Sequence, residues 1–83
     1  MMYRVEYSYA KRFGEDVYWE AEFEKWSGDN YFEAIKCALE SLERRFMNPN
    51  LFRAIPFTND GTLDVNSAFY CTADYIRDYF GLI

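Results

Sequence analysis

Apolar and polar residues alternate from the start of this chain. In "MYRVEYSY", Tyr3, Val5, Tyr7 and Tyr9 fall on one parity and Arg4, Glu6 and Ser8 on the other, the period of a half-buried strand. "AKRFGED" interrupts the pattern, with Gly14 free to take a positive φ, and alternation resumes from Val17 to Trp26. The two runs predict a β-hairpin whose buried face carries Tyr3, Val5, Tyr7, Val17, Trp19, Ala21 and Phe23.

The period then changes. "SGDN" breaks the strand, and Asn30 with Glu33 three residues later has the spacing of a capping box. Phe32, Ile35, Leu39, Leu42 and Phe46 follow in three-four steps, which predicts a helix with one apolar stripe. Arg44 and Arg45 suit its last turn, and Pro49 in "MNPN" stops it. On the opposite side, Ala34, Cys37 and Ser41 group small residues where a second copy could approach, a candidate homodimer face.

"LFRAIPF" reads as a further strand, placed at a sheet edge by Pro56, and "TNDGT" as a turn. The remainder has two readings. A helix over 65–80 aligns Val65, Phe69, Ala73, Ile76 and Phe80 with Gly81 as its cap; a strand over 67–72 leaves only a shorter helix. The longer helix is favoured. The order ββαβ plus a C-terminal helix gives a single domain over 1–83: a small two-layer α+β fold, an antiparallel sheet with one long helix packed on one face.

Composition narrows the function classes. Fourteen acids against nine bases give a net charge of -5, which repels nucleic acid and anionic membrane and attracts basic partners. Residues 1–33 hold eight of the acids and four of the bases. The chain has no histidine, the commonest general base and metal ligand, and its two cysteines suit neither a disulfide framework nor a zinc ribbon. "TNDGTLD" fails as a calcium loop, since alignment on Gly61 puts Pro56 at the first ligand position and Ser67 where a bidentate Glu belongs. The expectation is a non-enzymatic chain without metal or cofactor, with no membrane span, in a reducing cytoplasm.

The acidic residues of the hairpin are the candidate site. Glu20, Glu22 and Glu24 alternate with Trp19, Ala21 and Phe23, so a strand with the latter inward would present the former outward. Pairing Tyr7 with Trp19 or with Ala21 puts Glu6 on the same outer face, leaving Arg4 as the one cation there. Glu15 and Asp16 extend the acidic surface, and Tyr18 and Trp26 share its parity as aromatic anchors. A solvated face that deters edge pairing would carry the same pattern. So would a docking surface for the Lys/Arg-rich side of a protein or ribonucleoprotein, because alternate strand carboxylates lie about 6.5–7 Å apart, near two phosphate rises. A metal or catalytic carboxylate pair fits less well, since cation ligands sit much closer together than this.

In size, acidity and its ββα start the chain resembles the small phage-encoded counter-defence proteins, including anti-CRISPR inhibitors; the stretches that carry the likeness are "MMYRVEYSY", "VYWEAEFEKW" and "NYFEAIKCALESLERRF". The resemblance implies a stoichiometric blocker in the host cytoplasm that occupies a basic effector surface without contacting nucleic acid. Glu6, Glu20, Glu22 and Glu24 would then make the charged contacts, with Tyr18 and Trp26 as anchors. The alternative is a homodimeric accessory protein built on Ala34, Cys37 and Ser41. A third class, a nucleic-acid module using the basic segment 34–57, is disfavoured because the aromatic hairpin is read as acidic outside.

Overall fold

A computed structural model describes the backbone of residues 1–13 and 16–81 and the side chains of 1–8 and 22–81. The elements are β1 (Met2–Phe13), β2 (Asp16–Ser27), α1 (Tyr31–Arg44), β3 (Leu51–Pro56), a 3₁₀ turn (Val65–Ser67), β4 (Phe69–Thr72) and α2 (Ala73–Phe80). The strands form one antiparallel sheet in the order β2-β1-β3-β4. This is the expected α+β domain, with a fourth strand added.

The connectivity explains the core. β2 and β3 both oppose β1, so they run the same way, and α1 must cross β1 to join them. Tyr3, Val5 and Tyr7 of β1 are therefore buried beneath α1, together with Phe52 and Ala54 of β3 and Cys71 of β4. Ala34, Ile35, Ala38, Leu39 and Leu42 close the core from the helix side. Fully burying each large aliphatic side chain here contributes about 1.5–3 kcal/mol.

The helix entry is held by two contacts. Asn30 Oδ1 accepts from the Glu33 amide at 3.0 Å, the cap that the spacing implied. A Cβ on Gly28 would lie 2.8 Å from the Ala34 nitrogen, so only glycine lets the chain turn this tightly into α1.

Four expectations are corrected. Ala34 is fully buried, because α1 turns both Ala34 and Ala38 toward the core, where small side chains let helix and sheet approach. The Ala34–Cys37–Ser41 group is thus no open dimer face: Cys37 is half-buried, and Ser41 Oγ accepts from Arg45 at 3.2 Å. Residues 69–72 form β4, not helix, because Phe69 and Cys71 alternate inward with Tyr70 and Thr72 outward against β3. Thr72 then caps α2 by accepting from the Tyr75 amide at 3.1 Å, and Gly81 ends it in the left-handed region as foreseen.

Pro56 does not mark an edge. β3 lies inside the sheet, but its pairing with β4 ends at Ala54, leaving the proline beyond that ladder.

Phe46 is the fourth correction. It is 98% exposed, outside the apolar stripe, with φ at 59°. The Phe46 amide donates to Glu43 O and the Met47 amide to Leu42 O, the two bonds of a Schellman cap, so the helix ends here, three residues before Pro49. The position suits glycine, and a phenylalanine holds it against a steric cost of about 1–2 kcal/mol. Allowing for the greater freedom of glycine when unfolded, Phe46→Gly is expected to raise unfolding free energy by about 0.5–1 kcal/mol in urea titration. A loss of stability would show that the ring supports the fold.

Candidate binding face

The hairpin register decides which residues meet. β1 pairs with β2 so that Tyr3 opposes Trp26, Val5 opposes Glu24 and Tyr7 opposes Glu22, with the ladder closing at Phe13 and Asp16. Each odd residue of β1 opposes an even residue of β2, one position from the expected Tyr7–Ala21 register and three from the Tyr7–Trp19 one. A one-residue slip moves a strand's whole side-chain set to the other face. Glu22, Glu24 and Trp26 consequently share the helix-covered face with Tyr3, Val5 and Tyr7, and Phe23 shares the open face with Arg4 and Glu6.

The acidic ladder is therefore divided. Glu24 lies beside the C-terminal end of α1, where Arg45 reaches it at 2.8 Å, and Trp26 Nε1 donates to its other oxygen at 3.1 Å. Glu22 accepts from the Tyr7 hydroxyl at 3.2 Å. Glu6 lies on the opposite side of the sheet from both. Glu20 opposes Tyr9 and Tyr18 opposes Lys11 in the backbone register, but their side chains, with that of Asp16 and all of Glu15, lie outside the described residues. Trp26 packs against the core and is not an outward anchor.

On the open side the register assembles a different surface. Phe23, Glu6, Arg53 and Tyr70 stand directly opposite one another across all four strands, a row about 14 Å long at ordinary strand spacing. One Arg53 nitrogen donates to both oxygens of Glu6 at 2.8 and 2.6 Å, and another donates to the Tyr70 hydroxyl at 3.2 Å. These bonds hold the Arg53 pKa above its usual value, those to Glu6 and Tyr70 being the main cause. Arg4 Nε lies 3.3 Å from Glu6 Oε2, and its guanidinium carbon sits 3.7 Å above the centre of the Phe23 ring. Phe23 is 54% and Tyr70 60% exposed.

The second row along the strands is Lys25, Arg4 and Ile55. Among the described residues of these strands, the open face thus carries Arg4, Lys25 and Arg53 against Glu6, a positive surface on an acidic chain. This inverts the expected polarity of the sheet face. The ends of the row are hard to find in the sequence, because alternation assigns Phe23 to the core and the 65–80 stripe assigns Tyr70 to a helix. The alternation in "FYCT" was the available signal.

The face combines charged and aromatic groups. Its carboxylate is held by two guanidinium groups, and its aromatics offer ring faces and one hydroxyl. Cys71, buried under the helices, has its thiol pushed up to about 12 by desolvation, away from the reactive thiolate form. Among the described residues, no group of three or more His, Cys, Asp or Glu gathers as metal ligands, and no helix is long and apolar enough to cross a membrane.

Burial, then Glu24 and the bonded Glu22, also push the Tyr7 hydroxyl from 10.0 up to about 12. Each group stays protonated longer when folded than when unfolded, so the folded state holds more protons and loses stability as pH rises. The loss is expected between pH 9.0 and about 12 for Cys71 and between 10.0 and about 12 for Tyr7. Melting temperatures across that window should fall less steeply above pH 10 for Tyr7→Phe, and less steeply from pH 9 for Cys71→Ala, than for the parent; parallel slopes would contradict the buried placement. No protein-family model matches this chain, nor does any curated protein or solved structure, so the face itself carries the functional reading.

Proposed function

We propose that this chain is a non-catalytic binding domain that docks the open side of its sheet on a partner protein and acts as a stoichiometric blocker, the mode that the likeness to counter-defence inhibitors implies. The observation that carries the proposal is the Phe23–Glu6–Arg53–Tyr70 row. Aromatic residues and arginine dominate binding energy at protein interfaces, because they bury much area and make directed bonds at modest entropic cost. Here both arginines are already oriented, Arg4 by Phe23 and Arg53 by Glu6 and Tyr70, so less ordering remains for the complex to impose.

The acidic residues of β2 have a smaller part in docking than alternation alone implies. Glu24 is engaged by Arg45 and Trp26, and Glu22 by Tyr7. Their places on the edge strand β2 also suit a role against edge-to-edge pairing. The two free thiols fit action in a reducing cytoplasm.

Affinity capture from lysate of the native cells tests this, with bound protein quantified for variants of matched thermal stability. Phe23→Ser with Tyr70→Ser is expected to lower recovery of the specific partner at least about tenfold, the effect of losing one or two interface anchors. Glu20, Glu22 and Glu24 changed together to Gln should retain it. The reverse pattern would return the docking surface to the acidic strand.

A further inference from the structure

The open face has a third row, and it is apolar. Phe57 donates its amide to Met2 O at 3.0 Å, which brings Met2 and Phe57 together two residues along from the Lys25–Arg4–Ile55 row. With Met1, Lys25, Thr58, Asn59 and Gly61 they line an open hollow of about 420 Å³. Lys25 Nζ stands 5.2 Å from the centre of the Phe57 ring at its rim. Met2, 43% exposed, is a pliable wall that can close on side chains of different shape, while Met1 Sδ accepts from the Tyr3 hydroxyl at 3.4 Å.

The opposite wall is firm. Asp60 accepts from the hydroxyls of Thr58 and Thr62 and from the Thr62 amide, which hold its carboxyl below the usual range, and the Gly61 amide donates to Thr58 O at 3.0 Å. The Gly28 amide in turn donates to Met1 O at 3.0 Å and fixes the N-terminal wall.

Along the strands the face therefore reads as an apolar hollow, then the cations Lys25 and Arg4, then the Phe23–Glu6–Arg53–Tyr70 row, where Glu6 offsets one of the three positive charges. Successive rows lie two residues apart, about 6.5–7 Å. That is also the spacing between side chains i, i+2 and i+4 of an extended peptide. We infer that the partner presents to this face an extended acidic segment, with one large apolar side chain in the Met1–Met2–Phe57 hollow and carboxylates at the next two alternate positions, over Lys25 and Arg4 and then over Arg53. This rests on the open face being the docking surface and adds the chemistry of what docks. Charge complementarity selects an acidic occupant, and the hollow selects one with an apolar anchor, which a sugar-phosphate backbone lacks.

The test is a ¹H–¹⁵N correlation titration of the whole chain with a capped pentapeptide Leu-Ser-Glu-Ser-Glu, with the same peptide carrying Lys for Glu, and with an oligothymidine. Saturable shifts at Met2, Lys25, Phe57 and Gly61, and at Arg4 and Arg53, are expected at about millimolar acidic peptide, the range for a contact of this size. Lys25→Glu should weaken them at least about tenfold. No shifts, an equal response to the lysine peptide, or a response to the oligonucleotide alone would overturn the inference. If the peptide fails while Phe23→Ser with Tyr70→Ser still abolishes partner capture, the docking face stands and the acidic segment falls. If capture is also unaffected, both fall.

Discussion

What each face of the hairpin presents depends on how β1 pairs with β2. The ladder sets Tyr7 against Glu22 and closes at Phe13 and Asp16. In a sheet the two faces are assigned together, so this choice places every described side chain of β2 at once. It puts Glu22, Glu24 and Trp26 beside α1, where hydroxyl, indole and guanidinium groups can meet the carboxylates. It also sends Phe23 to the open side, in line with Glu6, Arg53 and Tyr70.

The same choice answers why the edge strand carries glutamates on its helix-facing parity. A central strand must bury that parity entirely, as β1 does with Tyr3, Val5 and Tyr7. β2 lies at the flank, so Glu24 can lean out to Arg45 rather than occupy the core. Removing Phe23 from the core costs burial, and Arg4 stacking over its ring recovers part of that contact. The result is a molecule whose sheet face is more positive than its total charge suggests.

Much of the fold was legible because it rests on local signals. The strand period of 3–7, the Asn30 cap, the Ile35–Leu39–Leu42 spacing and the Gly81 cap each act within a few residues and appear as read. What was not legible depends on pairing across the chain. Trp19, Ala21 and Phe23 look more buriable than Glu22 and Glu24, so alternation alone favours the wrong face for Phe23; the pairing that reverses it leaves just two residues between the strands. Likewise Phe69 and Ala73 fit a helical stripe, and only the presence of β3 at 51–54 draws residues 69–72 into a strand. The expected homodimer face failed for a related reason: with Phe32 turned toward Phe69 and Tyr79, the centre of the buried face moves to Ala34 and Ala38.

Phe23 belongs to the open face, and nuclear Overhauser contacts of its ring are the sharpest probe of that placement. Cross-peaks are expected from the Phe23 ring to the Arg4 side chain and none to the methyl groups of Leu39 or Leu42. Contacts to those leucines, with Glu22 and Glu24 free of Tyr7 and Arg45, would restore the acidic outer face and contradict the register on which the binding surface is built.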